Sequence, residues 1–165
     1  MSLPYQKIFV PLDGSELSAR ALPHAAEIAR GSHAKLVLSQ IVEAPAEFVA
    51  IPTGMRTTGS DTGAGIGGVS VGVTAPDDET HSRTMDEIQA YLDRVATSLR
   101  HQKIEVEVDV NTGDPATTIV NYATANAVDL IVMSTHGRTG LGRWTYGSVT
   151  NKVLQAAPCP VLVVR

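Results

Sequence analysis

The sequence predicts one α/β domain: an open parallel sheet of five strands with helices on both faces. Two observations carry that expectation. Five short apolar runs alternate with stretches of helical period, in the order βαβ, an insert, then αβαβαβ. Such alternation buries helices against both faces of a parallel sheet. The chain has 165 residues, 43% hydrophobic and 18% charged, which suits one domain with a real core and argues against wholesale disorder.

Lys7 to Leu12 (KIFVPL) is the first β-rich run. Ser15 is placed to cap the next stretch, where Leu17, Ala21, Ala25 and Ile28 recur at helical spacing. Pro23 falls inside that pattern, so a kinked helix is expected, closed by Gly31. Ala34 to Val42 (AKLVLSQIV) reads as a second, buried strand. From His81 to Gln102, Met85, Ile88, Leu92, Val95 and Leu99 step by three and four, the clearest amphipathic helix in the chain. Ile104 to Val110 (IEVEVDV) alternates strictly, as a half-exposed strand at a sheet edge does. Asp114-Pro115 supplies an N-cap and a proline at the first helical position, with Ile119, Val120 and Ala123 on the apolar face. Leu130 to Met133 makes the fourth strand, Gly147 to Ala157 the fourth helix and Pro160 to Val164 the closing strand.

The insert spans about 44–80 and holds seven of the fourteen glycines without sustained periodicity. Segments of that length are lids or flexible loops. A flexible insert within a single domain over 1–165 is expected, with Val69, Val71 and Val73 its only strand-like alternation.

A net charge of −4 and the lack of a basic stripe exclude nucleic acid as an expected partner. The single cysteine, Cys159, sits in apolar sequence and reads as a buried, inert thiol. No leader-like segment opens the chain, and no apolar run approaches the ~20 residues that span a bilayer. A cytoplasmic protein without membrane contact is expected. Histidines 24, 33, 81, 101 and 136 lack ligand spacing, so no zinc site is expected.

Two glycine motifs look alike and differ in context. Gly63-Ala64-Gly65-Ile66-Gly67-Gly68 matches a dinucleotide fingerprint by letter. It lacks the strand before and the helix after that the fingerprint requires, so it reads as linker. Gly137 to Trp144 (GRTGLGRW) approaches a P-loop, but Arg143 replaces its lysine and Trp144 its metal-binding hydroxyl. Its position after a buried strand still suits phosphate. Gly137, Gly140 and Gly142 allow close backbone approach, and Gly147-Ser148 opens a helix whose N–H groups face the same space. Ser148 and Thr150 add hydroxyls, while Arg138 and Arg143 offset charge at the rim. A plain glycine-rich turn with two solvated arginines is the weaker reading. Helix-terminus interactions contribute only about 0.3–2 kcal/mol each, whereas micromolar affinity needs about 8 kcal/mol. The rest of a nucleotide must be held elsewhere. Asp13, after the first strand, has two evenly matched readings: an acceptor for ribose or adenine, or a cap for the next helix.

These residues resemble the universal stress protein family. The resemblance covers the chain except the insert. It rests on KIFVPLDGSELSARAL, NTGDPATTIVNYA, DLIVMSTHGRTGLGRW and YGSVTNKVLQAAPCPVLVV, in that order. It implies a Rossmann-like sheet, of the adenine nucleotide alpha hydrolase-like kind, in the order 3-2-1-4-5, and a homodimer paired through the last strand, 160–164. It also implies the nucleotide-binding motif G-x2-G-x9-G-[ST], which here reads Ser134-x2-Gly137-x9-Gly147-Ser148, with serine at the first glycine position. By position, the resemblance puts Pro11 and Asp13 beside the adenosine, Ile41 at the adenine through its backbone, and Met133 beneath the base. It puts Gly137, Gly147, Ser148 and Val149 on the phosphates, with Gly140 and Arg138 close by.

The expected ligand is ATP, with or without Mg or Mn, any metal reaching Asp13 only through the nucleotide. Three functions follow. The first is an ATP-binding stress-response regulator with at most weak turnover, acting on a signalling partner. The second is a slow ATP hydrolase or phosphotransferase. The third is a dimeric interaction module that has lost its nucleotide.

Overall fold

The computed structural model describes residues 5–43, 78–135 and 147–165. Of the expected insert, about 44–80, residues 44–77 lie outside them and 78–80 belong to a helix; residues 136–146, with Gly137, Arg138 and Gly140, also lie outside them. The elements are β1 (Lys7–Leu12), α1 (Glu16–Ala19), α2 (Ala21–Ser32), β2 (Lys35–Val42), α3 (Asp78–His101), β3 (Val106–Thr112), α4 (Pro115–Ala125), β4 (Leu130–Ser134), α5 (Ser148–Ala156) and β5 (Val161–Val164). All strand pairs are parallel, in the order β3-β2-β1-β4-β5. The alternating strand is an edge strand, as its pattern required.

Period two along each strand divides the core between the faces. Ile8, Val10 and Leu12 of β1 and Leu36 and Leu38 of β2 pack with alanines 21, 25 and 29 of α2 and with Ile88, Leu92 and Leu99 of α3. On the other face, Phe9, Val37, Ile131 and Met133 meet Ala116, Ile119 and Ala123 of α4 and Val153 of α5. Phe9 stacks on Tyr122 with ring centroids 4.6 Å apart, tying α4 to the central strand. At the amino edge of the sheet, Asp129 Oδ2 accepts from the Gln6 and Lys7 N–H groups, both at 2.8 Å, which holds the start of β1 against β4.

Several boundaries differ from expectation: β3 runs Val106–Thr112 rather than Ile104–Val110, other strand ends shift by at most one residue, and three helix limits move further. The break in the first helical stretch falls at Arg20, between α1 and α2, rather than at Pro23. Proline has no N–H for the carbonyl four residues back, and its ring crowds that carbonyl. For Pro23 that carbonyl belongs to Ala19, so the chain yields one turn upstream. Pro23 itself rides in the first turn of α2, where no intrahelical N–H bond is lost. Gly31 lies within α2, and the helix closes at His33 in a left-handed conformation, φ 57°. The extra turn is held by Ser32 Oγ donating to the Ile28 carbonyl at 2.7 Å and by the Ala34 N–H reaching back to Ala29. The long helix starts at Asp78, three residues ahead of His81.

Candidate functional site

In this topology the chain leaves β1 toward β2 on one side and returns to β4 on the other. The order reverses between β1 and β4, and ligands of open parallel sheets settle beyond the carboxyl ends of strands at such a point. A cavity of about 350 Å³ lies there, lined by residues of β1, β2, β4, α1, α4 and α5 and of the turns after β1 and β2, among them Pro11, Asp13, Ile41, Met133, Ser134 and Val149. That volume is at the small end of the roughly 300–1,000 Å³ usual for small-molecule sites.

The β1–α1 turn is built by short-range hydrogen bonds. Asp13 Oδ1 accepts from the Ser15 N–H at 2.9 Å, and the Asp13 N–H donates to Ser18 Oγ at 3.3 Å. Gly14 supplies the positive φ, 78°, that this turn needs. Ser15 caps α1, its Oγ accepting from the Ser18 N–H at 3.0 Å. The cap reading of Asp13 is thereby corrected: Ser15 does the capping, and Asp13 shapes the turn and lines the cavity. Its negative charge reaches α3 as well. Burial, and then the Asp13 carboxylate, pushes the Tyr91 hydroxyl above its ordinary pKa.

The opposite wall begins where β2 and β3 end. The Gly113 N–H donates to the Val42 carbonyl at 2.9 Å. Asp114 then caps α4, accepting from the Thr117 N–H at 3.0 Å and the Thr117 hydroxyl at 2.6 Å. Those bonds, hydroxyl first, hold the Asp114 carboxyl below its usual value, with Lys152 adding to the effect. Pro115 and Ile119 of α4 face the cavity. The third side is α5, whose N-cap is Gly147 and whose Val149 and buried Thr150 line the space.

Of the sequence-predicted site residues, Pro11, Asp13, Ile41, Met133, Ser134 and Val149 come together on one cavity. Gly147 and Ser148 stand beside it at the start of α5, outside its lining. Gly137, Arg138 and Gly140 lie outside the described residues. Leu12, Ser18 and Glu43 line the cavity and were missed as site residues, and Pro115 and Ile119 were read only as cap and core. A signal existed for Glu43. It follows Ile41 by two, so a strand carries both to the same face.

The lining combines apolar walls with two carboxylates, Asp13 and Glu43, and three hydroxyls, Ser18, Ser134 and Thr150. Apolar walls suit a flat heterocycle, and acceptors at the rim suit amine or sugar hydroxyl donors. Among the described residues no group of three or more His, Cys, Asp or Glu side chains could hold a metal ion. No helix among them is long and apolar enough to cross a membrane. Cys159 is half-buried, and burial, with Asp129 adding, raises its thiol pKa despite a hydrogen bond with the Ile131 backbone.

A universal stress protein of Methanocaldococcus jannaschii is 33% identical over 162 residues, covering 98% of this chain and 82% of its own length. One from Bacillus subtilis is 32% identical over 164 residues, covering 98% and 99%. The solved structure of a second Methanocaldococcus jannaschii universal stress protein superposes with a TM-score of 0.71 at 24% identity, covering 98% of this chain and 96% of that one. Two further structures have the same fold. The Archaeoglobus fulgidus protein in complex with dAMP has a TM-score of 0.59 at 20% identity, covering 99% of this chain and 100% of its own. The Arabidopsis thaliana protein with AMP bound has 0.60 at 17%, covering 96% and 90%. The sequence profile of the universal stress protein family matches residues 4–60 and 67–165. This chain belongs to the universal stress protein family.

Proposed function

We propose that this protein binds an adenine nucleotide, ATP foremost, in the cavity at the β1–β4 switch point and acts as a stress-response regulator rather than a fast enzyme. The carrying observation is that one cavity gathers Pro11, Asp13, Ile41, Met133, Ser134 and Val149 from four elements. In this reading the base lies against Pro11, Ile41 and Met133, and Asp13 accepts from ribose. The phosphates extend toward Gly147, Ser148 and Val149 at the start of α5, with Gly137, Arg138 and Gly140 beyond. Two members of the fold bind dAMP and AMP, which supports an adenine nucleotide as the ligand class. Slow turnover follows from the sequence, where Arg143 and Trp144 replace the lysine and metal-binding hydroxyl of a hydrolytic P-loop.

Isothermal titration calorimetry with ATP and AMP tests the reading. Saturable binding in the micromolar range is expected, equivalent to about 8 kcal/mol. No saturation up to millimolar nucleotide ends the proposal. Gly147→Leu, which adds bulk where the phosphates approach α5, is expected to weaken binding at least tenfold (about 1.4 kcal/mol).

A homodimer paired through β5 belongs to the same proposal. Val161, Leu162, Val163 and Val164 are all only half-buried on a terminal strand, and an apolar edge of that kind invites pairing.

A further inference from the structure

Beneath the β1–α1 turn one acceptor stands unused. Gln40 of β2 is in register with Leu12 of β1 and, two residues on from Leu38, points to the sheet face that α2 and α3 cover. Both terminal atoms of its amide lie 3.8 Å from the place a Cβ on Gly14 would occupy. Its Oε1 is shut away from water and finds no hydrogen-bond partner among the described residues. A buried carbonyl without a donor is costly, and an apolar side chain of similar length would fill the space without that cost. Gln40 is not part of the cavity lining, so contact with a ligand does not account for the amide.

The turn above it carries a matching donor. Asp13 Oδ1 accepts from the Ser15 N–H at 2.9 Å, while Asp13 also lines the cavity. A carboxylate oxygen drawn to a ribose hydroxyl loosens its hold on that N–H, and the turn then has a donor to place. Gly14, at φ 78° and without a side chain, lets the turn adjust. We propose that Gln40 is a positioning residue for Asp13, its Oε1 an acceptor held in reserve for the backbone N–H groups of the turn. It takes one of them when the Asp13 carboxylate engages the ribose of a bound nucleotide. The inference rests on the nucleotide reading above. The exchange conserves hydrogen bonds: the released N–H meets the unmet carbonyl, and Asp13 turns to the ligand at little cost.

Ligand chemistry separates this role from a structural one. The dideoxy form of AMP lacks both ribose hydroxyls, so its binding calls for no exchange at the turn. Gln40→Met keeps the length of the side chain and leaves only a weak acceptor. Its AMP affinity by calorimetry is expected to fall about tenfold (about 1.4 kcal/mol). Dideoxy-AMP, the weaker ligand of the wild type, is expected to bind both chains alike. The melting temperature of ligand-free Gln40→Met is expected to stay level or rise, because an unmet carbonyl has gone. Gln40→Leu serves should the methionine chain not fold, with the same pattern expected.

Wild-type AMP affinity in both Gln40 variants overturns the proposal while leaving the nucleotide reading intact. An equal loss for AMP and dideoxy-AMP, or a lowered melting temperature of the free variant, assigns Gln40 to the fold and overturns it too. A wild type that holds the two nucleotides equally removes ribose from Asp13 and ends the proposal. A wild-type chain that binds no AMP or ATP removes the nucleotide reading, and this inference with it.

Discussion

Gly113 joins β3 to α4 with φ 141°, and a Cβ added there would lie 2.9 Å from Thr118 Oγ1. Both the conformation and the space demand glycine, and the turn it makes delivers Pro115 and Ile119 to the cavity wall. Gly113→Ala is expected to cost about 1–3 kcal/mol, the usual range for a residue held in a sparsely populated conformation. Urea denaturation measures it, and an unchanged midpoint would mean that the turn relaxes freely. Its neighbour gives a pH dependence. The Asp114 carboxyl sits below its ordinary pKa in the folded chain because Thr117 and Lys152 favour the charged form. A depressed folded pKa contributes stability above the unfolded value, near 3.9, and that contribution is lost as pH falls through the folded pKa. Asp114→Asn keeps a good capping residue without the charge. The wild-type advantage in melting temperature over this variant should be present at pH 6, shrink below about pH 4 and vanish in stronger acid. An advantage independent of pH would remove the charge from the account. Capping chemistry of this kind was legible from Asp114-Pro115 alone, since it acts over three residues. The partnership of Asp13 with the cavity was not, because Asp13 and Ser15, two positions apart, were both competent to cap and only the folded turn shows how they divide the work.

Helices in this molecule are held by the sheet more than by their own propensity. The four-residue α1 could not persist alone, and its capping serine and the packing of Ser18 against the end of β1 hold it in place. On the face shared by α2 and α3, α2 presents mostly alanine, which lets its backbone approach the strands, while α3 brings the larger side chains. Leu92 of α3 is fully buried in that layer. Leu92→Ala is expected to destabilise the chain by about 2–5 kcal/mol through lost burial and the cavity left behind, read by denaturant midpoint at constant m-value. A cost below 1 kcal/mol would show that the layer collapses around the gap. All five strands and the long amphipathic helix could be located from spacing, because period two and period three-to-four are local properties. The helix ends were harder. The break at Arg20 and the left-handed close at His33 depend on where a proline ring meets a carbonyl and on how far a buried turn can extend.

At the scale of the whole molecule, the two edges of the sheet differ. β3 carries Glu107 and Asp109 beside its valines, and charge on an edge strand discourages pairing with another chain. β5 carries no charge from Val161 to Val164 and has exposed Leu154 on the preceding helix. Sedimentation equilibrium at tens of micromolar is expected to show a dimer for the wild type and a monomer for Val163→Lys, and a wild-type monomer under those conditions would refute pairing through β5. Fold class, the location of the elements and the helix start at Gly147-Ser148 were already contained in the order of residues, because they follow from periodicity and from chemistry within a few positions. The order 3-2-1-4-5 came from likeness to a family rather than from spacing. That Glu43, Ser18 and Ile119 share a wall with Asp13 emerged only on folding. A cavity at a switch point belongs to no segment: its walls are carboxyl ends of strands far apart in sequence, and which of them become neighbours is settled by how the sheet buries both its faces at once.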